Sequence, residues 1–229
     1  MIILIPAKLN SSRLSNKNLR KINNKTLLEI SIKFAQSIKI NKKIFVSSES
    51  QKILEIAKKF NCKTILRPKK ISNTNTEMNL IIDHFIKINK MYNHDIMLLQ
   101  PTSPIRSRNN ISKALRIYKR GKLNGIYSIN EIYNDNLKSV TLDSNNKIKL
   151  LTKKNYLFLN TQKLPKLYKF NGNFFIFKSK YFLKEKEIPL KNSIGFKISK
   201  QECIDIDNLS DLRKVKKTKF FKKSYKTNY

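Results

Sequence analysis

Two observations predict that this chain is an α/β protein built on a doubly wound, mostly parallel sheet. Short apolar runs alternate along the chain with longer runs in which apolar residues recur at helical spacing. This strand–helix–strand rhythm is typical of parallel sheets covered by helices on both faces. The length of 229 residues, 40% of them hydrophobic, also fits one domain with a sizeable core.

The first part of the chain contains the clearest alternation. Apolar residues recur every three or four positions in four runs, as they do between Ile53 and Phe60. These runs predict helices near 26–39, 50–60, 77–91 and 109–120. Shorter apolar runs bounded by polar residues predict strands at 2–6, 43–47, 63–66, 95–99 and 124–130.

The rhythm changes between about 132 and 170, where short β-like pieces are separated by polar turns. We interpret this stretch as a small insertion within a single domain that spans 1–229. A helix is expected from about 208, and the densest basic segment, 213–229, is interpreted as a solvated terminal helix or a contact to an acidic partner. The strands expected beyond the insertion are 173–177, 194–198 and 203–206.

Charge is the most unusual property of the composition. Lys and Arg total 49 against 15 acids, a formal net charge of +34, but only eight of the basic residues are Arg. The Lys residues are spread nearly evenly along the chain. A nucleic-acid-binding protein would concentrate its charge and use Arg for forked contacts to phosphates and bases. We therefore attribute the excess to compositional drift and do not expect nucleic-acid binding despite the charge.

Other features limit the class of protein further. No apolar run reaches the length that a membrane span requires. The apolar start lacks the basic leader and the small-residue cleavage site of a signal peptide. Cys62 and Cys203 form neither a disulfide framework nor paired metal-ligand spacing. A cytoplasmic location is expected.

Ligands of doubly wound sheets bind beyond the carboxyl ends of the strands, so the loops there are the places to search. The loop behind the first strand is polar. Its backbone amides, with Lys8, Arg13 and Lys17, can hold a polyphosphate. An ordinary basic loop in a basic protein is the alternative. The three loops at this edge are 7–20, 67–76 and 100–108.

A second candidate follows the strand predicted at 95–99. Pro101 and Pro104 stiffen the chain where it leaves this buried strand and hold Gln100 and Thr102 at the ligand-binding edge. A plain strand–turn–helix connection would also explain this segment.

The third candidate is a concentration of acids near the end of an acid-poor chain. Glu202, Asp205, Asp207 and Asp211 fall within ten positions, although the whole chain has only 15 acids. On a strand, Asp205 and Asp207 share one face, roughly 7 Å apart along the backbone. Two carboxylates on one ledge suit Mg²⁺, which binds one or two carboxylates together with phosphates and water. A helix cap formed by Asp207 is the alternative, but it explains only one of the two aspartates.

Together these segments resemble the acylneuraminate cytidylyltransferase family, which includes the CMP-sialic acid and CMP-nonulosonate synthetases. The CMP-octulosonate synthetases resemble the chain more distantly. The likeness runs from Ile2 to about Leu212, with its motifs in the family's order. Four motifs carry it: A-R-x-x-S-x-R-x-x-x-K-N at Ala7, Ser11, Arg13, Lys17 and Asn18; L-L-Q-P-T-S-P-I-R at 98–106; N-G at Asn171 and Gly172; and I-D-I-D at 204–207.

The resemblance implies a Rossmann-like nucleotidyltransferase sheet, CTP and an acidic nine-carbon sugar as substrates, Mg²⁺ as cofactor, and a homodimer built through the 132–170 insertion. It also implies residue roles. The nucleotide would be bound by Lys8, Asn10, Ser11, Arg13, Asn18 and Arg67. The sugar would be bound by Gln100, Thr102, Lys138 and Asn171. The catalytic set would be Lys17, Asp205 and Asp207, and the two aspartates would also bind the metal.

Five positions depart from the family pattern. Lys8 stands where the family has Arg, which replaces a forked contact by a point charge. Leu9 and Asn10 occupy positions often held by Gly, and Leu9 is expected to resist a positive φ. Thr74 stands where an acid is usual, and Thr161 where an Arg near the sugar carboxylate is common.

These departures leave three interpretations. The first is an enzyme that transfers CMP from CTP to the anomeric hydroxyl of a nonulosonate, with Asp205 as base or as second metal ligand. The second is a CMP-octulosonate synthetase. The third is a degenerate, non-catalytic homologue that binds anionic partners. The first is favoured because an acid pair persists in a chain otherwise depleted of acids.

Overall fold

A seven-stranded sheet forms the centre of the computed structural model, which describes residues 1–73 and 75–218. Thr74 and residues 219–229 lie outside the described part. In chain order the strands are β1 (Ile2–Pro6), β2 (Lys21–Ile22), β3 (Lys25–Thr26), β4 (Lys43–Ser48), β5 (Lys63–Leu66), β6 (Asp95–Leu98), β7 (Gly125–Ile132), β8 (Val140–Leu142), β9 (Ile148–Leu150), β10 (Leu167–Lys178) and β11 (Ser193–Lys197). The helices are α1 (Leu27–Ser37), α2 (Gln51–Lys59), α3 (Met78–Ile88), α4 (Arg108–Arg120), α5 (Ser179–Glu185) and α6 (Leu209–Lys217).

The strand order of the central sheet is β11-β7-β10-β6-β1-β4-β5. The pairs β1–β4, β1–β6, β4–β5 and β7–β11 are parallel, and β10 runs antiparallel between β6 and β7. The prediction of a mostly parallel sheet is therefore confirmed. The two remaining pairs, β2–β3 and β8–β9, form separate small hairpins.

Strand β1 shows why the sheet is covered on both faces. Every residue of this strand is buried. Ile3 and Ile5 pack into the cluster that contains residues of α1, α2 and α4, whereas Ile2 and Leu4 pack with residues of α3 and α5. Since neighbouring side chains point to opposite faces of a strand, a continuous apolar run of this kind needs helices on both sides. The sheet is doubly wound, as predicted.

Helices α1 and α4 begin close to the predicted positions because their N-caps are encoded locally. Thr26 accepts a hydrogen bond from the N–H of Glu29, and the Glu29 carboxylate accepts one from the N–H of Thr26, a complete capping box. Ser107 caps α4 by accepting from the N–H of Asn110. No helix of residues 1–73 and 75–218 is both long and apolar enough to cross a bilayer.

The prediction of a strand at 203–206 is wrong. A 3-10 turn covers Lys200–Cys203 instead, and an extended segment without strand pairing follows it. The buried carboxylate of Glu202 holds this turn, because it accepts hydrogen bonds from Ser199 and from the amide of Asn110. The backbone here is satisfied by single contacts in place of a strand ladder: the Asn173 amide donates to the carbonyl of Glu202, and the N–H of Ile206 donates to the carbonyl of Thr102.

Three further elements differ from the sequence prediction. Strand β10 is twelve residues long and continues through a register shift between Phe170 and Phe175, so the sequence pattern showed only its regular end at 173–177. Helix α5 and the β2–β3 hairpin were not predicted. Both are short, seven residues and four residues respectively, and short elements carry little periodicity.

The chain between β7 and β10 forms an arm, which comprises residues 133–166. It contains the β8–β9 hairpin, whose residues are all exposed, and several 3-10 turns. Large apolar side chains on the arm lie open to solvent; Phe158 is 92% exposed and Ile148 is 69% exposed. The insertion expected near 132–170 thus corresponds to a structural arm, and its role in dimerisation stays a prediction.

Candidate active site

The loops behind β1, β5 and β6, together with the segment before α6, enclose a cleft of about 250 Å³ at the carboxyl edge of the sheet. We call it the main cleft. Ten of the thirteen predicted site residues line it. They are Lys8, Ser11, Arg13, Lys17, Asn18, Arg67, Gln100, Thr102, Asp205 and Asp207. The structure thus brings together segments up to 200 positions apart, and the roles of the residues stay predictions.

Contacts within the 7–20 loop and to β4 hold this loop in shape. The Asn18 side-chain amide donates to the carbonyl of Lys8 at 2.8 Å, and the N–H of Leu9 donates to Glu49 Oε1 at 2.7 Å. Asn16 adopts the left-handed conformation, with φ 52°, which Asn tolerates better than most residues. Leu9 is not among the described residues with positive φ, so the strain expected there does not arise.

Asp207 connects the 7–20 loop to the acidic segment of the chain. Its Oδ1 atom lies 2.9 Å from Lys17 Nζ and 3.0 Å from Arg13 Nη2. Lys17 is buried, whereas the Arg13 side chain is 67% exposed. One cation is therefore held at the floor of the cleft and the other at its rim, and an anion bound beside Asp207 would meet both.

The acidic segment, residues 204–207, keeps the alternation predicted for a strand although it pairs with no strand. Ile206 is fully buried, and its N–H donates to the carbonyl of Thr102 at 2.8 Å. Ile204 packs against the same apolar cluster. Asp205 and Asp207 line the main cleft, and Asp205 Oδ1 accepts from Ser103 Oγ at 3.3 Å.

The Asp207 cap suggested as an alternative does not form. Asn208 is the N-cap of α6, and it makes a capping box with Asp211. Asp211 Oδ2 also accepts from the N–H of Asp207 at 3.1 Å. The carboxylate of Asp207 is thereby left available to the cleft, while its backbone is fixed by the helix behind it.

Arg67 lies in the opposite wall of the main cleft. Its side chain is only 1% exposed, and it contacts Glu49 Oε2 at 3.0 Å and Ser72 Oγ at 2.9 Å. Burial lowers the pKa of this guanidinium, and the neighbouring carboxylate of Glu49 raises it again. The remaining wall is formed by polar and apolar side chains of the 67–76 loop and α3, namely Ser72, Asn73, Thr76, Met78 and Ile81.

The backbone of Gln100 is held by a buried arginine, and its side chain fits against a glycine of β10. Arg106, 5% exposed, donates to the carbonyls of Gln100 and Asn173 and to the hydroxyl of Ser31. A Cβ atom added to Gly172 would lie 2.4 Å from Ser103 Oγ and 2.8 Å from Gln100 Oε1. Only glycine therefore lets β10 approach the Gln100 side chain this closely.

Two features of the main cleft favour an anionic ligand with hydrogen-bond donors. The pKa of Lys8 is lowered, first by burial and then by the nearby charge of Lys17, with smaller effects of the other cations of the site. Asn18 Oδ1 is buried without a hydrogen-bond partner among the described residues. The negative charge of such a ligand would reduce the repulsion between the cations. One of its hydrogen-bond donors would pair with Asn18 Oδ1.

The donor set of the main cleft fits a magnesium ion. Asp205 and Asp207 offer hard carboxylate oxygens beside the cations expected to hold phosphates. Within residues 1–73 and 75–218 there is no group of three or more His, Cys, Asp or Glu residues that could form a complete protein cage. A site of this kind suits Mg²⁺, which completes its coordination with ligand phosphates and water.

Three predicted residues do not line the main cleft: Asn10, Lys138 and Asn171. Asn10 is exposed in the 7–20 loop. Lys138 belongs to the base of the arm, at the end of the 3-10 turn Asn134–Lys138. Asn171 lies beside Gly172, where its amide donates to Asn130 Oδ1 at 3.2 Å and contacts Cys203 Sγ at 3.7 Å.

Asn130 and Cys203 in turn line a second cleft of about 630 Å³ between the base of the arm and the central sheet. Its other lining residues are Glu131, Ile132, Tyr133, Asn136, Lys169 and Lys200. Burial raises the pKa of the Cys203 thiol to about 11, so this group stays protonated near neutral pH. The second cleft therefore offers two lysines and several amides rather than a nucleophile.

Sequence reasoning missed Glu49 and Arg106, which hold the walls of the main cleft in place. Both left a signal in the sequence. Glu49 is an acid directly behind a predicted strand in an acid-poor chain, and Arg106 is one of only eight arginines. Their importance depends on contacts to residues distant in the chain: Arg67 is 18 positions from Glu49, and Asn173 is 67 positions from Arg106.

Comparisons with known proteins find relatives that match most or all of the chain. A family model described as "Cytidylyltransferase" matches residues 2–227. A pseudaminic acid cytidylyltransferase of Campylobacter jejuni (strain 81-176) is 27% identical over 100% of this chain and 97% of its own length. A CMP-N,N'-diacetyllegionaminic acid synthase of Legionella pneumophila is 29% identical over 92% of both chains. An N-acylneuraminate cytidylyltransferase of Escherichia coli O18:K1:H7 is 26% identical over 92% of this chain and 50% of its own length.

Solved structures show the same fold. A CMP:2-keto-3-deoxy-manno-octonic acid synthetase complexed with CTP superposes with a TM-score of 0.67 at 14% identity, covering 94% of this chain and 96% of the other. A 4-diphosphocytidyl-2C-methyl-D-erythritol synthase from Anaerococcus prevotii superposes with a TM-score of 0.63 at 11% identity, covering 94% of each chain. At this identity the likeness supports the Rossmann-like nucleotidyltransferase fold and nothing finer.

Proposed function

The chain belongs to the cytidylyltransferase family and is a nucleotidyltransferase, and from this premise we propose that it transfers CMP from CTP to the anomeric hydroxyl of an acidic nonulosonate sugar. The products are the CMP-sugar and pyrophosphate. The main cleft is the observation that supports the proposal. It contains four cations, Lys8, Arg13, Lys17 and Arg67, together with the carboxylates of Asp205 and Asp207. The relatives named for pseudaminic, N-acylneuraminic and legionaminic acids support the sugar class.

The nucleotide is proposed to lie along the 7–20 loop. Lys8, Arg13 and Lys17 supply positive charge to the triphosphate, and Ser11 adds a hydroxyl at the same wall. The unpaired Asn18 Oδ1 accepts a donor of the nucleoside, which relieves a buried and unsatisfied acceptor. When phosphates bind, Arg13 and Lys17 can transfer their contacts from Asp207 to phosphate oxygens with little movement, because both already meet at one atom.

The reaction is an in-line displacement at the α-phosphate of CTP. The anomeric oxygen of the sugar forms a new P–O bond, the bond between the α- and β-phosphates breaks, and pyrophosphate leaves with the electron pair. The hydroxyl proton passes to a base, for which Asp205 is the candidate within the described residues of the cleft. Lys17 is placed to stabilise negative charge that develops on the phosphates.

Magnesium is proposed as the cofactor, held by Asp205 and Asp207 together with substrate phosphates. When bound, it would neutralise phosphate charge and lower the pKa of the attacking hydroxyl. Asp205 cannot serve as the base and be fully engaged as a metal ligand at the same time, so the two assignments remain alternatives.

The sugar is proposed to extend from Gln100 and Thr102 toward the second cleft. Gln100 faces the main cleft, and Asn171 lies between Gly172 and the second cleft. Lys169 and Lys200 line that cleft and supply the positive charge that a sugar carboxylate requires. Lys138 lines neither cleft, so the contact predicted for it needs a second copy of the chain or a movement of the arm.

A homodimer built through the arm is part of the same proposal. The arm exposes several large apolar side chains, among them Leu142, Ile148, Leu151 and Phe158. Several large apolar side chains exposed on one segment are typical of an interface between protein chains. A second copy of this chain is the partner that the family resemblance implies, and a cytoplasmic location also stays a prediction.

Pyrophosphate release by the purified protein tests the proposal. The assay uses CTP, magnesium and a panel of N-acetylneuraminate, legionaminate, pseudaminate and an octulosonate, with ATP and GTP as control nucleotides. We expect release with CTP and one nonulosonate only. Asp207→Asn should lower kcat/KM at least about a hundredfold. Asp83→Asn, which removes a surface carboxylate of α3, should leave it unchanged.

Other results would redirect the proposal in defined ways. Release with the octulosonate alone would identify a CMP-octulosonate synthetase. CTP that raises the melting temperature without release on any sugar would indicate a degenerate homologue. Neither CTP binding nor release would contradict the proposed function altogether.

A further inference from the structure

Glu49 joins the two walls of the main cleft without lining the cleft itself. Its Oε1 atom accepts a hydrogen bond from the N–H of Leu9 in the 7–20 loop at 2.7 Å, and its Oε2 atom lies 3.0 Å from Nη2 of Arg67. One carboxylate therefore holds the loop behind β1 and the loop behind β5. The Glu49 side chain is 17% exposed and that of Arg67 is 1% exposed, so solvent competes little for these contacts.

The position of Glu49 follows from the pairing of three parallel strands. At the end of β4 the carbonyl of Ser47 accepts from the N–H of Ala7, and the carbonyl of Ser48 accepts from the N–H of Arg67. One residue later the neighbouring chains diverge toward the cleft, and backbone pairing ends. The carboxylate of Glu49 continues the same bridging pattern with side-chain atoms, so that β4 still connects both neighbours where the ligand-binding loops begin.

Leu9 shows how strongly this contact shapes the loop. The side chain of Leu9 packs against the apolar core, and its N–H points to Glu49. Two attachments on one residue define the path of the backbone at the start of the loop, next to Lys8 and Ser11 of the cleft. Leu9 stands at a position where the family often has glycine. Its backbone is fixed here by the packing of its side chain and by the carboxylate of Glu49.

Charge gives Glu49 a second role at the same place. Arg67 is buried, and burial disfavours its charged form, whereas Glu49 favours it. An arginine left without its carboxylate in this position would be an uncompensated buried charge. Its remaining contacts, to Ser72 Oγ and the carbonyl of Ser47, leave the Nη2 atom without the partner that fixes it.

We propose that Glu49 is a positioning residue for nucleotide binding, which holds the 7–20 loop and Arg67 at the separation that the nucleotide requires. The inference rests on the proposed function for the identity of the nucleotide, and on the hydrogen bonds of Glu49 for the positioning itself. Glu49 does not touch the reacting atoms. It acts through the backbone of Leu9 and the guanidinium of Arg67.

Two substitutions separate this role from a general contribution to stability. Glu49→Gln keeps the shape but offers one oxygen and one NH₂ group to two donors, so either the Leu9 contact or the Arg67 contact is lost. Glu49→Asp keeps the charge and both acceptor atoms and should restore part of the function. Glu55→Gln changes an exposed glutamate of α2 and is the matched control.

The first measurement is CTP binding by titration calorimetry, together with the KM values of both substrates and the melting temperature. We expect Glu49→Gln to weaken CTP binding at least about tenfold, Glu49→Asp to lie between it and wild type, and Glu55→Gln to be unchanged. The KM for the sugar at saturating CTP should change less than about twofold, because Gln100 and the second cleft are held by other contacts. Full CTP affinity in a folded Glu49→Gln protein would overturn the proposal.

Hydrogen exchange at the Leu9 amide provides a readout that does not depend on activity. The charged guanidinium of Arg67 should keep the one oxygen that Glu49→Gln leaves, so the N–H of Leu9 loses its acceptor. We therefore expect faster exchange across the start of the 7–20 loop while amides of β1 stay protected. Uniformly faster exchange in β1 and the loop would indicate a merely structural role and would overturn the proposal. Wild-type protein that fails to bind CTP would contradict the proposed function as well, whereas wild-type binding that Glu49→Gln leaves intact would contradict the role of Glu49 alone.

Discussion

Asp207 pairs with cations of the main cleft, and it is also a proposed metal ligand. Its Oδ1 atom accepts contacts from Arg13 and Lys17, and its N–H is held by Asp211. The two ion pairs neutralise cations that would otherwise repel one another in a narrow cleft. In the proposed complex a triphosphate would provide the same neutralisation with more oxygens, and the carboxylate would then be available to the proposed metal.

Gly172 is the residue at which the smallest change should have a specific effect. A Cβ atom there would overlap Ser103 Oγ and Gln100 Oε1, at 2.4 and 2.8 Å. We expect Gly172→Ala to displace Gln100 and to lower kcat/KM for the sugar about tenfold to a hundredfold, because small displacements of positioning groups have effects of this size. CTP affinity should change less than about threefold, since the nucleotide wall is formed by other loops.

Gly121→Ala is the matched control for this prediction. A Cβ at Gly121 would lie 3.1 Å from Leu123 Cγ and 3.2 Å from the Ile117 carbonyl, which is less tight than at Gly172, and Gly121 lines neither cleft. Steady-state kinetics with each substrate varied in turn measures both variants. Unchanged kinetics of the sugar in Gly172→Ala would contradict the assignment of Gln100 to the sugar.

At the scale of elements, the cap of α6 connects helix stability to the site. Asn208 and Asp211 form a capping box, and Asp211 also accepts from the N–H of Asp207. The start of the helix therefore fixes the end of the acidic segment. Ile206 anchors the same segment from the other side through the carbonyl of Thr102.

We expect Asn208→Ala to lower the free energy of unfolding by about 1 kcal/mol, the usual effect of losing an N-cap side chain. Urea denaturation followed by circular dichroism measures this change. Ser210→Ala, an exposed substitution one residue into the same helix, is the control and should stay within about 0.5 kcal/mol of wild type. Equal stability of the two variants would show that Asp211 alone caps the helix.

The predicted elements differ in how well the sequence specified them. Strand β5 has the predicted boundaries, and α1 begins at a capping box that sequence alone encodes. The predicted strand at 203–206 failed, because the alternation of Ile204 and Ile206 with two aspartates records burial on one side and not strand pairing. An alternating pattern shows which face of a segment is buried. Whether the segment also pairs as a strand depends on whether another strand lies beside it in the fold.

At the scale of the whole molecule, most of the 15 acids make specific side-chain contacts. Lys and Arg exceed Asp and Glu by 34, so most surface lysines have no acid to pair with. The described contacts of the acids include caps, cleft contacts and hydrogen bonds to buried groups. Examples are Glu29, Glu49, Asp95, Glu202, Asp207 and Asp211. This distribution agrees with the interpretation of the lysine excess as drift.

The arm determines the expected assembly. Its apolar side chains Leu142 and Ile148 are 59% and 69% exposed. We expect wild-type protein to form a dimer and the double substitution Leu142→Lys with Ile148→Lys to form a monomer, because charges at a buried interface lose their hydration. Light scattering coupled to size-exclusion chromatography measures the mass.

Ile88→Lys is the control for the arm, since Ile88 is 58% exposed at the end of α3 and far along the chain from the arm. This variant should stay dimeric. A wild-type protein with the mass of one chain would contradict the homodimer and would leave the apolar surface of the arm for another partner.

The sequence by itself determined the doubly wound class, most helix and strand positions in the first part of the chain, and the three segments that meet in the main cleft. These features depend on periodicity and local caps, which neighbouring residues encode. Only the tertiary structure decided that Lys17 and Arg13 share Asp207, that Glu49 bridges Leu9 and Arg67, and that Asn171 contacts two residues of the second cleft. Such contacts depend on where the strands place their ends in space, and a one-dimensional pattern contains no distance between residues far apart in the chain.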